Sequence, residues 1–175
     1  GAGLVGSLWA VFLAKAGYKV TIYERRSDIR KAEISAGKSI NLALSTRGWK
    51  ALRSAGVDTQ VQSIAIPMYG RMMHDLEGNQ TAQAYGKDGQ AIYSISRGDL
   101  NAKMMDIAEQ EGKAQIFYTH KCVDGDVDAG IVHQAHHDSQ ERLTDQADVL
   151  LSSDSSLPAA RTNCLHEFDV LYFWF

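Results

Sequence analysis

The chain opens on Gly1-x-Gly3-x-x-Gly6, and Glu24 stands at the end of the next β-branched run, Lys19-Val20-Thr21-Ile22-Tyr23-Glu24. Three glycines at this spacing suit a backbone turn that must approach a pyrophosphate. Gly1 permits the tight turn, Gly3 lets the main chain come close to the phosphates, and Gly6 lets helix and strand pack. A helix beginning there offers unpaired N–H groups and a partial positive charge to an anion. An acid at the end of the following strand accepts hydrogen bonds from ribose hydroxyls and disfavours a 2′-phosphate. The pattern points to an adenine dinucleotide and does not by itself choose between FAD and NAD.

These residues need a helix and a strand to hold them. Leu4, Leu8, Val11 and Phe12 recur at helical spacing, and Gly17 sits where a helix-terminating glycine belongs. Lys19–Glu24 reads as a short buried strand, Ile40–Leu44 as another, and Ser45 as the N-cap of a helix to about Ala55, stopped by Gly56. Beyond Pro67, Met68–His74 and Ala91–Ile95 read as strands around a Glu77-Gly78-Asn79 turn. Ser96-Arg97-Gly98-Asp99 has capping-box spacing before the apolar stripe Leu100, Met104, Ile107 and Ala108. Gln115–Thr119, Gly130–Gln134 and Ala147–Leu151 complete the predicted strands. This order predicts an α/β fold, a doubly wound sheet interrupted by an inserted antiparallel one.

Composition narrows the function. At 175 residues the chain is about one domain long, and 45% apolar with 22% charged residues is an ordinary globular mix. A formal charge of -3 gives no electrostatic case for nucleic acid. No apolar run reaches the roughly 20 residues that span a bilayer, Val170–Phe175 included. Cys122 and Cys164 form no disulfide framework and read as free thiols of a reducing compartment. The chain begins on Gly1 without an initiator Met and reads as a piece of a longer protein.

Several residue types are weaker candidates. His133-x-x-His136-His137 lies in a polar, acidic stretch and reads as a solvent-facing hairpin rather than a metal tract. Asp124, Asp126 and Asp128 lack the glycine and glutamate positions of a calcium loop. Met72-Met73 and Met104-Met105 suit packing. By spacing alone Arg25 and Arg26 are a solvated basic turn, Arg71 an ordinary strand arginine, and Cys122 a small buried residue.

An ordered set of short motifs adds a family. Gly1–Glu24, Ser39-Ile40-Asn41-Leu42-Ala43-Leu44-Ser45, Arg47-Gly48, Ile66-Pro67-Met68, Gly70-Arg71-Met72-Met73-His74, Tyr85-Gly86 and Ser94-Ile95-Ser96-Arg97-Gly98-Asp99-Leu100-Asn101 run through residues 1–151. Together they resemble the FAD-dependent aromatic hydroxylases that act on L-kynurenine. The resemblance implies a Rossmann-type FAD-binding domain with an inserted antiparallel substrate-domain segment, incomplete at both ends. The FAD-binding parts would be residues 1–64 and 96–161, the excursion 65–95, and the tail 162–175 unassigned.

The same resemblance implies bound FAD, NADPH as co-substrate docking without a Rossmann domain of its own, and hydroxylation of L-kynurenine to 3-hydroxykynurenine with O2. Gly1, Gly3, Val5 and Gly6 would face the pyrophosphate, and Tyr23, Glu24, Arg25 and Arg26 the ADP ribose. Ala43, Arg97, Cys122 and Asp154 would complete this half of the cofactor site. Arg71 and Tyr85 would hold the amino-acid end of the substrate, and no residue here need act as general acid or base. Asp154 and Arg161 keep the family's places, whereas Ser155 and Pro158 replace its glycine and serine. The resemblance further implies a cytoplasmic protein, in a family some of whose members carry a C-terminal membrane anchor. This piece alone would be inactive. A non-catalytic FAD-binding fragment and a different flavin hydroxylase are the alternatives.

Overall fold

A computed structural model describes residues 1–31, 40–111, 113–126, 128–139 and 141–153. The elements run α1 (Leu4–Lys15), β1 (Thr21–Glu24), β2 (Asn41–Leu44), α2 (Thr46–Ala55), α3 (Asp58–Gln62), β3 (Ile66–Met68), β4 (Gly70–His74), β5 (Gln80–Ala84), β6 (Ile92–Ser96), α4 (Arg97–Gln110), β7 (Gln115–Tyr118), β8 (His120–Asp126), β9 (Ile131–His136) and β10 (Arg142–Gln146).

Helix ends follow local chemistry. After α1, Gly17 takes φ 92°, its N–H donates to Ala14 O and that of Tyr18 to Leu13 O. After α2, Gly56 takes φ 67° with the equivalent bonds to Arg53 O and Leu52 O. Both are glycine-terminated Schellman ends that satisfy otherwise orphaned carbonyls. At the start of α4, Ser96 Oγ accepts the Asp99 N–H at 3.3 Å, as the capping spacing predicts.

The core lies where α1 packs against α4 and, more lightly, α2. Val11, Val57, Val61, Met104, Met105, Ile107 and Ala108 are all at most 2% exposed. The stripe Leu100, Met104, Ile107 and Ala108 is buried along its whole length, so the helical period was the right guide to α4.

Among the described residues the strands form four small sheets. β1 pairs in parallel with β7, placing Glu24 beside Tyr118. β6 lies between β2 and β3, antiparallel to both. β4 and β5 form an antiparallel ribbon exposed along its length. β9 lies between β8 and β10. Only β1 and β7 run parallel, so the described strands show the doubly wound pattern at that one pair.

Ala147–Leu151, expected as a strand, is not one. Ala147 N–H reaches Gly130 O at 2.9 Å, but among the described residues no neighbouring strand continues the ladder, and Val149 is 64% exposed. β-rich composition without a partner for its backbone groups does not make a strand.

The chain turns from β7 into β8 at Thr119, whose φ of 59° is uncommon for a β-branched residue. Its polar groups are all engaged. The N–H donates to Arg26 O at 3.1 Å, the carbonyl accepts from His137 N–H at 2.8 Å, and Oγ1 meets Tyr118 O and His136 Nε2. Such a conformation persists where its surroundings over-determine it.

Candidate cofactor and substrate site

The glycine turn and the strand acid meet. Ala2 N–H donates to Glu24 Oε2 at 2.9 Å, and Glu24 is 5% exposed. Arg26 closes the other side, with Nε and its own N–H donating to Glu24 Oε1 at 2.8 and 3.0 Å. Burial works against a charge on Glu24. The Arg26 hydrogen bonds and charge, with the Ala2 amide, outweigh that and hold the carboxyl below its ordinary range.

The mouth of α1 suits an anion. Gly3 is the N-cap with no side-chain cap, and the first turn carries no acidic residue. Among the described residues no side chain caps its opening amides, which have no intrahelical acceptor. Gly3 has φ -75°, a value open to any residue, and a Cβ there would meet nothing within 4 Å. Among the described residues the space over Gly3 is clear. A Cβ on Gly6 would instead overlap the Gly1 carbonyl oxygen. Gly6 is thus required by the turn itself, while the room above Gly3 is what an approaching pyrophosphate needs. Val5, 44% exposed, lies in this first turn, and Ser153 Oγ donates to Gly1 O at 3.3 Å. These residues fit an adenine dinucleotide held by its phosphates and ribose.

The remaining predicted residues fall in separate groups. Tyr23 is turned to the opposite face of β1 from Glu24, as strand alternation requires. Its hydroxyl donates to Asp145 Oδ2 at 2.7 Å and its ring stacks on Phe117 at 5.4 Å. Burial, then the Asp145 carboxylate, push its pKa up to about 12. Arg25 is exposed. Ala43 pairs with Ser94 in the β2–β6 ladder, and Arg97 opens α4 directly after β6 with its N–H on Ile40 O at 3.1 Å. Cys122 lies in a different sheet, on β8, opposite Gln134. Asp154 lies outside the described residues. Arg71 and Tyr85 share one face of the β4–β5 ribbon. Arg71 faces Gln83 in register, and Tyr85 N–H donates to Tyr69 O at 2.9 Å. A concavity of about 550 Å³ lined by Asp128, Ala129, Gly130, Gln146, Ala147 and Asp148 includes none of these residues.

One cluster escaped the sequence reading. Arg30 Nε and Nη2 grip Asp28 at 2.9 Å each, Nη1 donates to Asp106 at 2.7 Å and Glu109 at 2.6 Å, and Nη2 also reaches Tyr118 Oη at 2.6 Å. It ties the segment after Glu24 to α4 and β7. Asp106 and Glu109 at helical i, i+3 spacing were its only local signal.

Residues 1–150 match the family model for the FAD binding domain, and the chain belongs to that family. Relatives named kynurenine 3-monooxygenase are similar over nearly all of it. The protein of that name from Christiangramia forsetii is 44% identical over 162 residues, 92% of this chain and 36% of the relative. That from Sus scrofa is 40% identical over 163 residues, 93% of this chain and 34% of the relative. The chain thus spans about a third of the length of these relatives. Among solved structures, the flavin-dependent monooxygenase PieE in complex with FAD and substrate superposes with a TM-score of 0.70 at 17% identity, covering 91% of this chain and 30% of that one. A 2-methyl-3-hydroxypyridine-5-carboxylic acid oxygenase gives 0.70 at 18% identity, covering 94% and 40%. These structures share the α/β FAD-binding fold. No described helix is long and apolar enough to cross a membrane.

Proposed function

We propose that this chain supplies the ADP-binding half of the FAD site, and part of the substrate surface, of a monooxygenase converting L-kynurenine to 3-hydroxykynurenine with NADPH and O2. The observation that carries the reading is the bond between Ala2 N–H and Glu24, which joins phosphate turn and ribose acid in one unit. The substrate is supported by relatives at 40–44% identity that share the kynurenine 3-monooxygenase name.

In this reading Gly1, Gly3, Val5 and Gly6 surround the pyrophosphate through main-chain groups. Glu24 accepts from ribose hydroxyls, with Arg25 and Arg26 alongside and Tyr23 contributing its main chain. Ala43, Arg97, Cys122 and Asp154 line the remainder, Arg97 as a fixed cation. Arg71 binds the substrate carboxylate and Tyr85 adds a hydroxyl donor. The bound flavin supplies electron transfer from NADPH and activation of O2. The residues described here bind and orient.

The chain divides into FAD-binding parts at residues 1–64 and 96–161, a substrate-sheet excursion at 65–95, and a tail at 162–175. Antiparallel pairing of β3 with β6 at the two ends of the excursion supports that division. The thiol usage and charge suit a cytoplasmic protein with small-molecule partners.

The test is turnover by the complete monooxygenase containing this chain. NADPH oxidation should accompany formation of 3-hydroxykynurenine from L-kynurenine. Oxidation stimulated and hydroxylation obtained only with phenolic acids would overturn the assignment.

A further inference from the structure

The β4–β5 ribbon carries one more residue of consequence. Arg71 and Gln83 stand opposite each other in register, and Arg71 Nε donates to Gln83 Oε1 at 2.8 Å. The pleat places Tyr69, Arg71, Gln83 and Tyr85 on the same face. Among the described residues that face is uncovered, with Tyr69 60% and Tyr85 42% exposed.

An arginine on an exposed ribbon ordinarily samples many rotamers, and each must be given up when it binds. Here the side chain is already tethered across the strands. A guanidinium can meet a carboxylate side-on, through Nε and one Nη, or end-on, through both Nη nitrogens. Gln83 occupies the side-on edge. Both Nη nitrogens of Arg71 remain without a hydrogen bond among the described residues.

We infer that Gln83 is a positioning residue that fixes Arg71 for end-on, two-point recognition of the substrate's α-carboxylate. This rests on the reading of Arg71 given above. Gln83 does not touch reacting atoms. Its role is to set the aim of the guanidinium and to leave a single edge open. Replacement by leucine frees Nε and unlocks the side chain. Replacement by glutamate adds a permanent carboxylate that competes with the substrate for the same cation.

The experiment uses the complete monooxygenase with L-kynurenine and with its amine analogue lacking the carboxylate. Neither residue belongs to the buried core of the described residues. Gln83→Leu should raise KM for L-kynurenine about tenfold, the scale of one oriented charge-assisted contact. The change should fall on KM rather than kcat and spare the amine analogue. Gln83→Glu should raise KM for L-kynurenine further. If Gln83→Leu shifts KM for both compounds equally or for neither, while Arg71→Gln selectively loses preference for the carboxylate, the inference fails and the role of Arg71 stands. If Arg71→Gln itself keeps the wild-type preference, Arg71 does not hold the carboxylate, and both are overturned.

Discussion

Ala2 N–H and Glu24 Oε2 lie 2.9 Å apart across 22 positions of sequence. This bond ties the first turn of the chain to the end of β1. The acid proposed to accept ribose hydroxyls is hydrogen-bonded to the turn proposed to cradle the phosphates. Glu24→Ala should lower FAD affinity at least tenfold. It should also cost roughly 1–3 kcal/mol of stability, because the Ala2 amide loses a buried charged acceptor. Calorimetric FAD titration alongside thermal unfolding measures both.

Gly3 and Gly6 should separate binding from folding. A Cβ on Gly3 enters open space at an ordinary φ, so Gly3→Ala should unfold no earlier than wild type yet bind FAD markedly more weakly. A Cβ on Gly6 overlaps the Gly1 carbonyl, so Gly6→Ala should displace the turn and lose both stability and binding. Equal FAD affinity in wild type and Gly3→Ala would contradict the pyrophosphate placement.

Arg30 is expected to matter for stability and for acid tolerance. Asp28 is 8% exposed, and Arg30→Ala leaves its nearly buried carboxylate with the residue-30 backbone N–H and the Lys31 charge but no side-chain donor, at roughly 1–3 kcal/mol. The Arg30 hydrogen bonds hold Asp28 below its ordinary pKa of 3.8, outweighing burial. A depressed carboxyl stabilises the fold above its unfolded pKa and loses that contribution as pH falls through the lower folded value. The gap in thermal stability between wild type and Arg30→Ala should therefore hold near neutral pH and close progressively below about pH 4.

Tyr23 and Tyr118 should mark the alkaline side. Both phenols are pushed up to about 12, Tyr23 by burial and then Asp145, Tyr118 chiefly by burial. A raised phenol contributes stability below its unfolded pKa near 10 and loses it as pH rises through the folded value. Phenolate absorbance should show two tyrosines ionising late, together with loss of stability between about pH 10 and 12. Tyr23→Phe should leave FAD affinity unchanged, since its hydroxyl is spent on Asp145.

The glycine spacing, the stripe of α4 and the terminating glycines Gly17 and Gly56 were legible because each is a local rule written in adjacent residues. The meeting of Ala2 with Glu24 was legible only as a consequence of the turn–helix–strand order. Arg30 was not, since its partners Asp28, Asp106, Glu109 and Tyr118 come from three places in the chain and only the fold assembles them. Tyr23 and Glu24 are neighbours in sequence, and the pleat sends them to opposite faces. Ala147–Leu151 misled for the opposite reason. Its composition suits a strand, but a strand also needs a neighbour.

Calorimetric titration of the chain with FAD and, separately, with FMN tests the central claim most directly. In the proposed reading the turn and Glu24 hold the adenosine and the pyrophosphate; FMN lacks the adenosine and carries a single phosphate. FAD should bind saturably at one site, and FMN should not bind. Failure of FAD to bind, or binding of FMN as tightly as FAD, would contradict the account.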